Sequence, residues 1–109
     1  MNFLVATLIL LLAVGCNSSN EIGKARKAWD DRLNLEVEIG MTASDVISWG
    51  AKYDKQLVVE PITNRIFQRL ESFDKSGFPC KDWFILLEVK FNENDQVASK
   101  KITETGTCL

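Results

Sequence analysis

The run Trp83-Phe84-Ile85-Leu86-Leu87-Glu88-Val89-Lys90-Phe91 decides how the rest of this chain is read. It holds no Gly or Pro and is rich in β-branched and aromatic residues, which predicts the most buried strand of a sheet. The polar residues Asn92-Glu93-Asn94-Asp95 form a turn, and a second extended run goes from Gln96 to Thr105. Cys80 stands before the first run and Cys108 after the second. With the hairpin folded at Asn94, each cysteine lies 14 residues from the turn and the two stand nearly opposite. A cross-strand disulfide requires that placement.

Working outward, alternation puts Trp83, Ile85, Leu87, Val89 and Phe91 on one face of the strand and Phe84, Leu86, Glu88 and Lys90 on the other. The first face alone satisfies a sheet covered by helices on one side. Phe84 and Leu86, joined by Phe67 upstream, are then surplus apolar side chains on the side the helices leave open. They form either a patch for a protein partner or a surface shielded by a loop or by the N-terminal tail. Gln96 to Thr105 alternates weakly, and Lys100-Lys101 reads as an exposed edge strand guarded against aggregation. Ahead of the central run, Glu60-Pro61 makes a break and Ile62 to Phe73 reads as a strand anchored by Ile66, Phe67 and Leu70. A helix over Asn64 to Ser72 competes, because Ile66, Leu70 and Phe73 also fit helical spacing. Asp74 to Pro79 is a loop.

Two helices precede the sheet. Glu21 to Asn34 repeats Ile22, Ala25, Trp29 and Leu33 at three- and four-residue steps, with Lys24, Lys27, Asp30 and Asp31 on the opposite face. Asp30-Asp31 is not a paired-carboxylate site, because adjacent helical residues diverge, and both read as solvated surface. The second helix starts at a capping box, Thr42-Ala43-Ser44-Asp45, where Thr42 takes the amide three residues on and Asp45 reaches back. Val46, Ile47 and Trp49 make its apolar side and Gly50 stands where a helix stop is expected. The predicted fold is α+β: two N-terminal helices on one face of a three-stranded antiparallel sheet, an ααβββ two-layer sandwich.

The N-terminus has its own logic. Phe3 to Val14 is apolar except for Thr7, and the first charge in the chain is Glu21. A dozen helical residues reach roughly 18 Å, short of a bilayer core of about 30 Å, so the run is a signal-peptide core and not a span. It ends in Leu12-Ala13-Val14-Gly15-Cys16, which resembles a bacterial lipobox. The resemblance implies a leader of residues 1–15 and a diacylated Cys16 as the mature N-terminus. Acyl chains contribute about 0.8 kcal/mol per buried CH₂, and several together hold a small domain at a membrane. The n-region has no Lys or Arg, and Ala13 stands where the pattern has Leu. A plainly secreted protein and an uncleaved anchor are the alternatives. Asn17, in place of the Asp that favours inner-membrane retention, points to an outer-membrane anchor facing the periplasm. Residues 16–21 are then a polar tether and 22–109 a single domain.

Cysteine arithmetic fits that division. Three cysteines are odd, but with Cys16 acylated an even pair, Cys80 and Cys108, remains for an oxidising compartment. Closing that loop stabilises the fold by about 3–4 kcal/mol in the chain-entropy treatment. The alternative is two buried free thiols.

The segment Ile39-Gly40-Met41-Thr42-Ala43-Ser44-Asp45-Val46-Ile47-Ser48-Trp49-Gly50 resembles the Gly-Met-Thr helix start of the SmpA/OmlA, or BamE-like, family of small outer-membrane lipoproteins. Leu87-Glu88-Val89-Lys90-Phe91-Asn92 with Val97 is similar to that family's hairpin. The resemblance implies a β-lactamase-inhibitor-like fold and an envelope location. It departs in the charged helix from Lys24 to Asn34, in Cys80 before the central strand, and in ending almost with the last strand. The family's assembly-machine contacts therefore do not transfer to residues here.

Composition bounds the chemistry. Thirteen Lys and Arg against fifteen Asp and Glu give a net charge of −2, which leaves no nucleic-acid footprint. Histidine is absent, so the commonest general base and metal ligand are missing. There is no phosphate-cradling glycine loop and no nucleophile elbow, and Ser44 and Ser48 have no neighbouring base. The expectation is a non-catalytic module without cofactor or metal, joined to the membrane by lipid at Cys16 and to a protein partner through Phe67, Phe84 and Leu86. Assembly or integrity of the envelope is one role for it. An inhibitor or immunity-type cap on another protein, or a purely structural lipoprotein, are the alternatives.

Overall fold

The computed structural model describes residues 21–74 and 80–108, with side chains at 21–73 and 82–106. The leader, Cys16 and the tether up to residue 20 lie outside the described residues. The architecture is α+β: helices α1 (Glu21–Glu36) and α2 (Ala43–Lys52), then strands β1 (Arg65–Asp74), β2 (Cys80–Phe91) and β3 (Val97–Cys108). The three strands form one antiparallel sheet in the order β1-β2-β3, so the Trp83–Phe91 run is central.

The β2–β3 turn is built by Asn92. Its Oδ1 accepts from the amides of Asn94 and Gln96 at 2.9 and 3.1 Å, and its own amide donates to the Gln96 carbonyl at 2.8 Å. Asp95 takes the left-handed conformation (φ 57°) that closes the turn, a backbone Asp tolerates better than most residues. The register begins at Phe91↔Val97, slips by one residue to Lys90↔Ser99, and slips back beyond Asp82↔Thr107. Two compensating irregularities thus return Cys80 to a position directly opposite Cys108.

Residues 65–74 are strand, so the helical alternative is set aside. The spacing that made helix plausible has a specific cause. Arg69 pairs with Leu86 and Glu71 with Ile85, so Leu70 is an extra residue in a β-bulge. A bulge moves later side chains to the other face. Ile66, Leu70 and Phe73 consequently all pack on the core side, at intervals of four and three. Phe67 is not an anchor of that core: it stands on the opposite face, 51% exposed.

The core draws on both helices and all three strands. Ile85, Leu87 and Val89 of β2 are fully buried, each contributing about 1.5–3 kcal/mol. Ile66 and Leu70 join from β1, Val97 and Ile102 from β3, Trp29 and Leu33 from α1, and Val46 and Trp49 from α2. Ile47 is 38% exposed and does not belong to this side.

α1 runs two residues past the expected Asn34, to Glu36. Asp30 and Asp31 pair along its solvent side with Arg26 (3.6 Å) and Lys27 (3.1 Å). Its C-terminus has no basic residue of its own in the last turn. Lys100 of β3 supplies one, its Nζ donating to the Leu33 carbonyl at 3.0 Å and to that of Val37. Lys100 is therefore a helix cap and not an edge guard.

Thr42 caps α2 as expected, its Oγ1 accepting from the Asp45 amide at 3.2 Å. Among the described residues no bond returns from the Asp45 carboxylate, so only half of the box forms. The preceding Gly40 has φ +93°, open to glycine at no steric cost. That turn lets Gly40 and Met41 exchange backbone bonds with Val97 at 2.8 Å, laying the helix entry along β3. Gly50 is not the stop. α2 continues to Lys52 with Tyr53 as C-cap, and Gly50 is where Leu57 packs onto the helix.

Candidate functional site

The face of the sheet away from the core gathers the residues singled out from sequence. Phe67 pairs across to Glu88, Arg69 to Leu86 and Ser72 to Phe84, so Phe67, Phe84 and Leu86 occupy one surface. They differ in access: Phe67 is half-exposed, while Phe84 and Leu86 are half-buried. Part of that cover comes from an unforeseen source, because the Arg69 guanidinium lies 3.8 Å from the Phe84 ring centroid. Arg65 lies 4.9 Å over Phe67 in the same way. Guanidinium groups stack on aromatic faces through the ring quadrupole and by dispersion.

A charge network crosses the three strands of this face. Glu88 receives Arg65 Nη1 at 2.8 Å and Lys101 Nζ at 3.4 Å, with its side chain 14% exposed. Burial raises the Glu88 carboxyl, but the hydrogen bond and charge of Lys101, with the charges of Lys90 and Arg65, outweigh it and hold the group below its ordinary value. Arg65 Nε is buried without a hydrogen-bond partner among the described residues. Around Glu88 the face is thus aromatic and basic, while alternation carries Asp82 onto the same side of β2 beyond Phe84. Alternation along β2 pointed to the apolar members and to Lys90. Arg65 and Arg69 were legible by the same parity rule once Ile66 was fixed as inward, which sequence alone did not settle.

A second cluster joins the two helices. Trp29, Trp49 and Tyr53 stand edge to face, with ring centroids 5.6–6.1 Å apart. Arg32 lies 4.5 Å from Trp29 and 4.6 Å from Tyr53. Glu36 accepts from the Tyr53 hydroxyl, from Trp49 Nε1 at 3.0 Å and from Lys52 at 3.3 Å. The Tyr53 hydrogen bond is the main cause of its lowered pKa, with Trp49 and Lys52 adding to it. A carboxylate held by three donors is a poor proton acceptor, so this cluster fastens helices together and offers no general base. Trp29 Nε1 reaches Glu71 of β1 at 2.6 Å, tying α1 to the sheet.

Among the described residues no group of three or more His, Cys, Asp or Glu could hold a metal, and no helix is long and apolar enough to cross a membrane. Cys80 and Cys108 are brought opposite one another in backbone register. Comparison with protein-family models, with curated proteins and with solved structures finds no match for the chain. The SmpA/OmlA resemblance therefore rests on the quoted segments alone.

Proposed function

We propose that this chain is a lipid-anchored module of the bacterial envelope that binds a protein neighbour and performs no reaction. In this reading Cys16 carries the lipid, residues 17–20 form a tether, and the outer sheet face of Phe67, Phe84 and Leu86 meets the partner. The observation that carries it is Phe67, a half-exposed phenyl ring on the β1 edge of a face that no described helix covers. Both helices lie on the other face, giving the ααβββ two-layer arrangement. The Trp29–Glu71 bond and the two bonds from Lys100 to the α1 carbonyls support it. Assembly or upkeep of the outer membrane, as in the BamE-like family, is the role this location favours.

We further assign a disulfide to Cys80 and Cys108, supported by their opposed register. Membrane fractionation tests the anchor. Cys16→Ala is expected to move the protein from membrane to soluble fractions, and a variant that stays bound contradicts lipidation. Crosslinking in intact membranes tests the docking: barrel-assembly subunits among the adducts support the assembly role, whereas a single hydrolase or toxin replaces it with an inhibitor role.

A further inference from the structure

We infer that β3 is a self-pairing edge, through which two copies of this chain join their sheets into one of six strands. β3 is an outer strand of the sheet, and such a strand offers a row of unpaired amides and carbonyls. Its outer side is occupied at Val97, by Gly40 and Met41. From Ser99 to Thr105 no described residue bonds to the backbone on that side. The devices that keep an edge single are weak here. The strand has no Pro, and its two irregularities lie outside this stretch. Both lysines have duties within their own copy: Lys100 caps α1 and Lys101 pairs with Glu88.

The residues along this edge select a second copy over an unrelated strand. Opposed residues in an antiparallel sheet share a face, so a two-fold axis through the new ladder must be centred on a residue. Centred on Lys100, Lys101 or Glu104, it sets two like charges directly opposite, which destabilises a sheet. Centred on Thr103, it sets the Glu104 carboxylate against Ile102. Centred on Ile102, it sets Lys100 of each copy against Glu104 of the other. Both residues stand on the helix side, opposite Val89 and Ile85 in the β2–β3 ladder. Two of the three donors of the Lys100 ammonium go to α1, which leaves one for that carboxylate. On the outer face the same register sets Ser99 against Thr105, a hydroxyl pair of the kind that stabilises neighbouring strands. Because α1 packs chiefly on β3, the axis also lays α1 antiparallel beside its counterpart. The two outer faces turn the same way, with a Phe67 near each far edge.

The test is a photo-crosslinker, Thr103→benzoylphenylalanine, in the full-length chain in its own cells, with sedimentation of the purified chain beside it. The expected result is an adduct of twice the chain's mass, crosslinked within β3 at or beside Lys101, and a dimer in sedimentation. Glu104→Lys turns both attractive pairs repulsive and should lower adduct yield and association constant about ten-fold. Glu104→Gln removes the attraction without adding repulsion and should lower them about three-fold. Glu93→Lys, the same charge change placed in the β2–β3 turn, should leave both unchanged. Glu104 is exposed, and an unchanged melting curve of its variants separates a lost dimer from a lost fold. A monomer at every concentration without self-adduct overturns the inference, as does a self-adduct that maps away from β3 or survives Glu104→Lys undiminished. An adduct joining β3 to a different protein replaces the second copy with a foreign strand and overturns it equally.

Discussion

At the scale of single residues, two glycines test the packing from opposite sides. A Cβ on Gly50 would lie 2.4 and 2.5 Å from the Leu57 side chain and 3.1 Å from the Lys55 carbonyl. Leu57 is buried and has nowhere to retreat. Gly50→Ala is expected to lose about 1–3 kcal/mol through overpacking, against at most about 1 kcal/mol of helix propensity gained. Gly23 lies in α1 with nothing within 4 Å, so Gly23→Ala should instead gain about 0.5–1 kcal/mol. Denaturant melts of the two variants check both signs. Glu36 gives a pH signature. Its lowered pKa means that its stabilising contribution is complete above the ordinary value of 4.5 and is lost as pH falls through the folded value. The melting temperature should therefore drop on acidification below about pH 4.5, and Glu36→Gln should flatten part of that drop. The Lys52 partner is raised, by its hydrogen bond to Glu36, so its contribution persists at neutral pH and disappears only in strong alkali. The Thr42 cap was legible in sequence because its signal spans four residues. The role of Gly50 was not, because it depends on a leucine seven positions away that returns to the helix through a turn.

Among the elements, legibility followed the length and regularity of the pattern. β2 alternates without interruption and was assigned to the right face residue by residue. β1 was ambiguous for a mechanical reason: the bulge at Leu70 converts a two-residue period into the spacing Ile66, Leu70, Phe73. The Cys80–Cys108 register survived because two slips in the β2–β3 ladder cancel, which no count of residues reveals. Lys100 and Lys101 were adjacent in sequence and assigned alike, yet they serve different elements. Lys100 closes the C-terminus of α1, while Lys101 pairs with Glu88 on the outer face at 63% exposure. Lys100→Met is expected to destabilise by about 1–2 kcal/mol, the value of a charge-assisted helix cap. Lys101→Met should cost at most about 0.5–1 kcal/mol, because an exposed ion pair contributes little. Equal effects in chemical denaturation would contradict the division of labour.

For the molecule as a whole, the account joins a lipid at one end to a protein-docking sheet at the other, with a disulfide at the open end of the hairpin. The proposed disulfide is expected to contribute about 3–4 kcal/mol by restricting the unfolded chain, so reductant should lower the melting temperature measurably, while Cys108→Ser should make that temperature indifferent to reductant. Fold class and the apolar members of the outer face were readable from the sequence. Of the basic members, Lys90 was placed there by alternation along β2, whereas Arg65 and Arg69 were not, because helix and strand competed over their segment. The central claim is the envelope anchor, and intact-mass measurement of the protein extracted from membranes without reductant tests it most directly. The account predicts residues 16–109 bearing diacylglyceryl and acyl groups, less the hydrogens lost when Cys80 joins Cys108. A full-length, lipid-free mass with alkylatable thiols at Cys80 and Cys108 would contradict it.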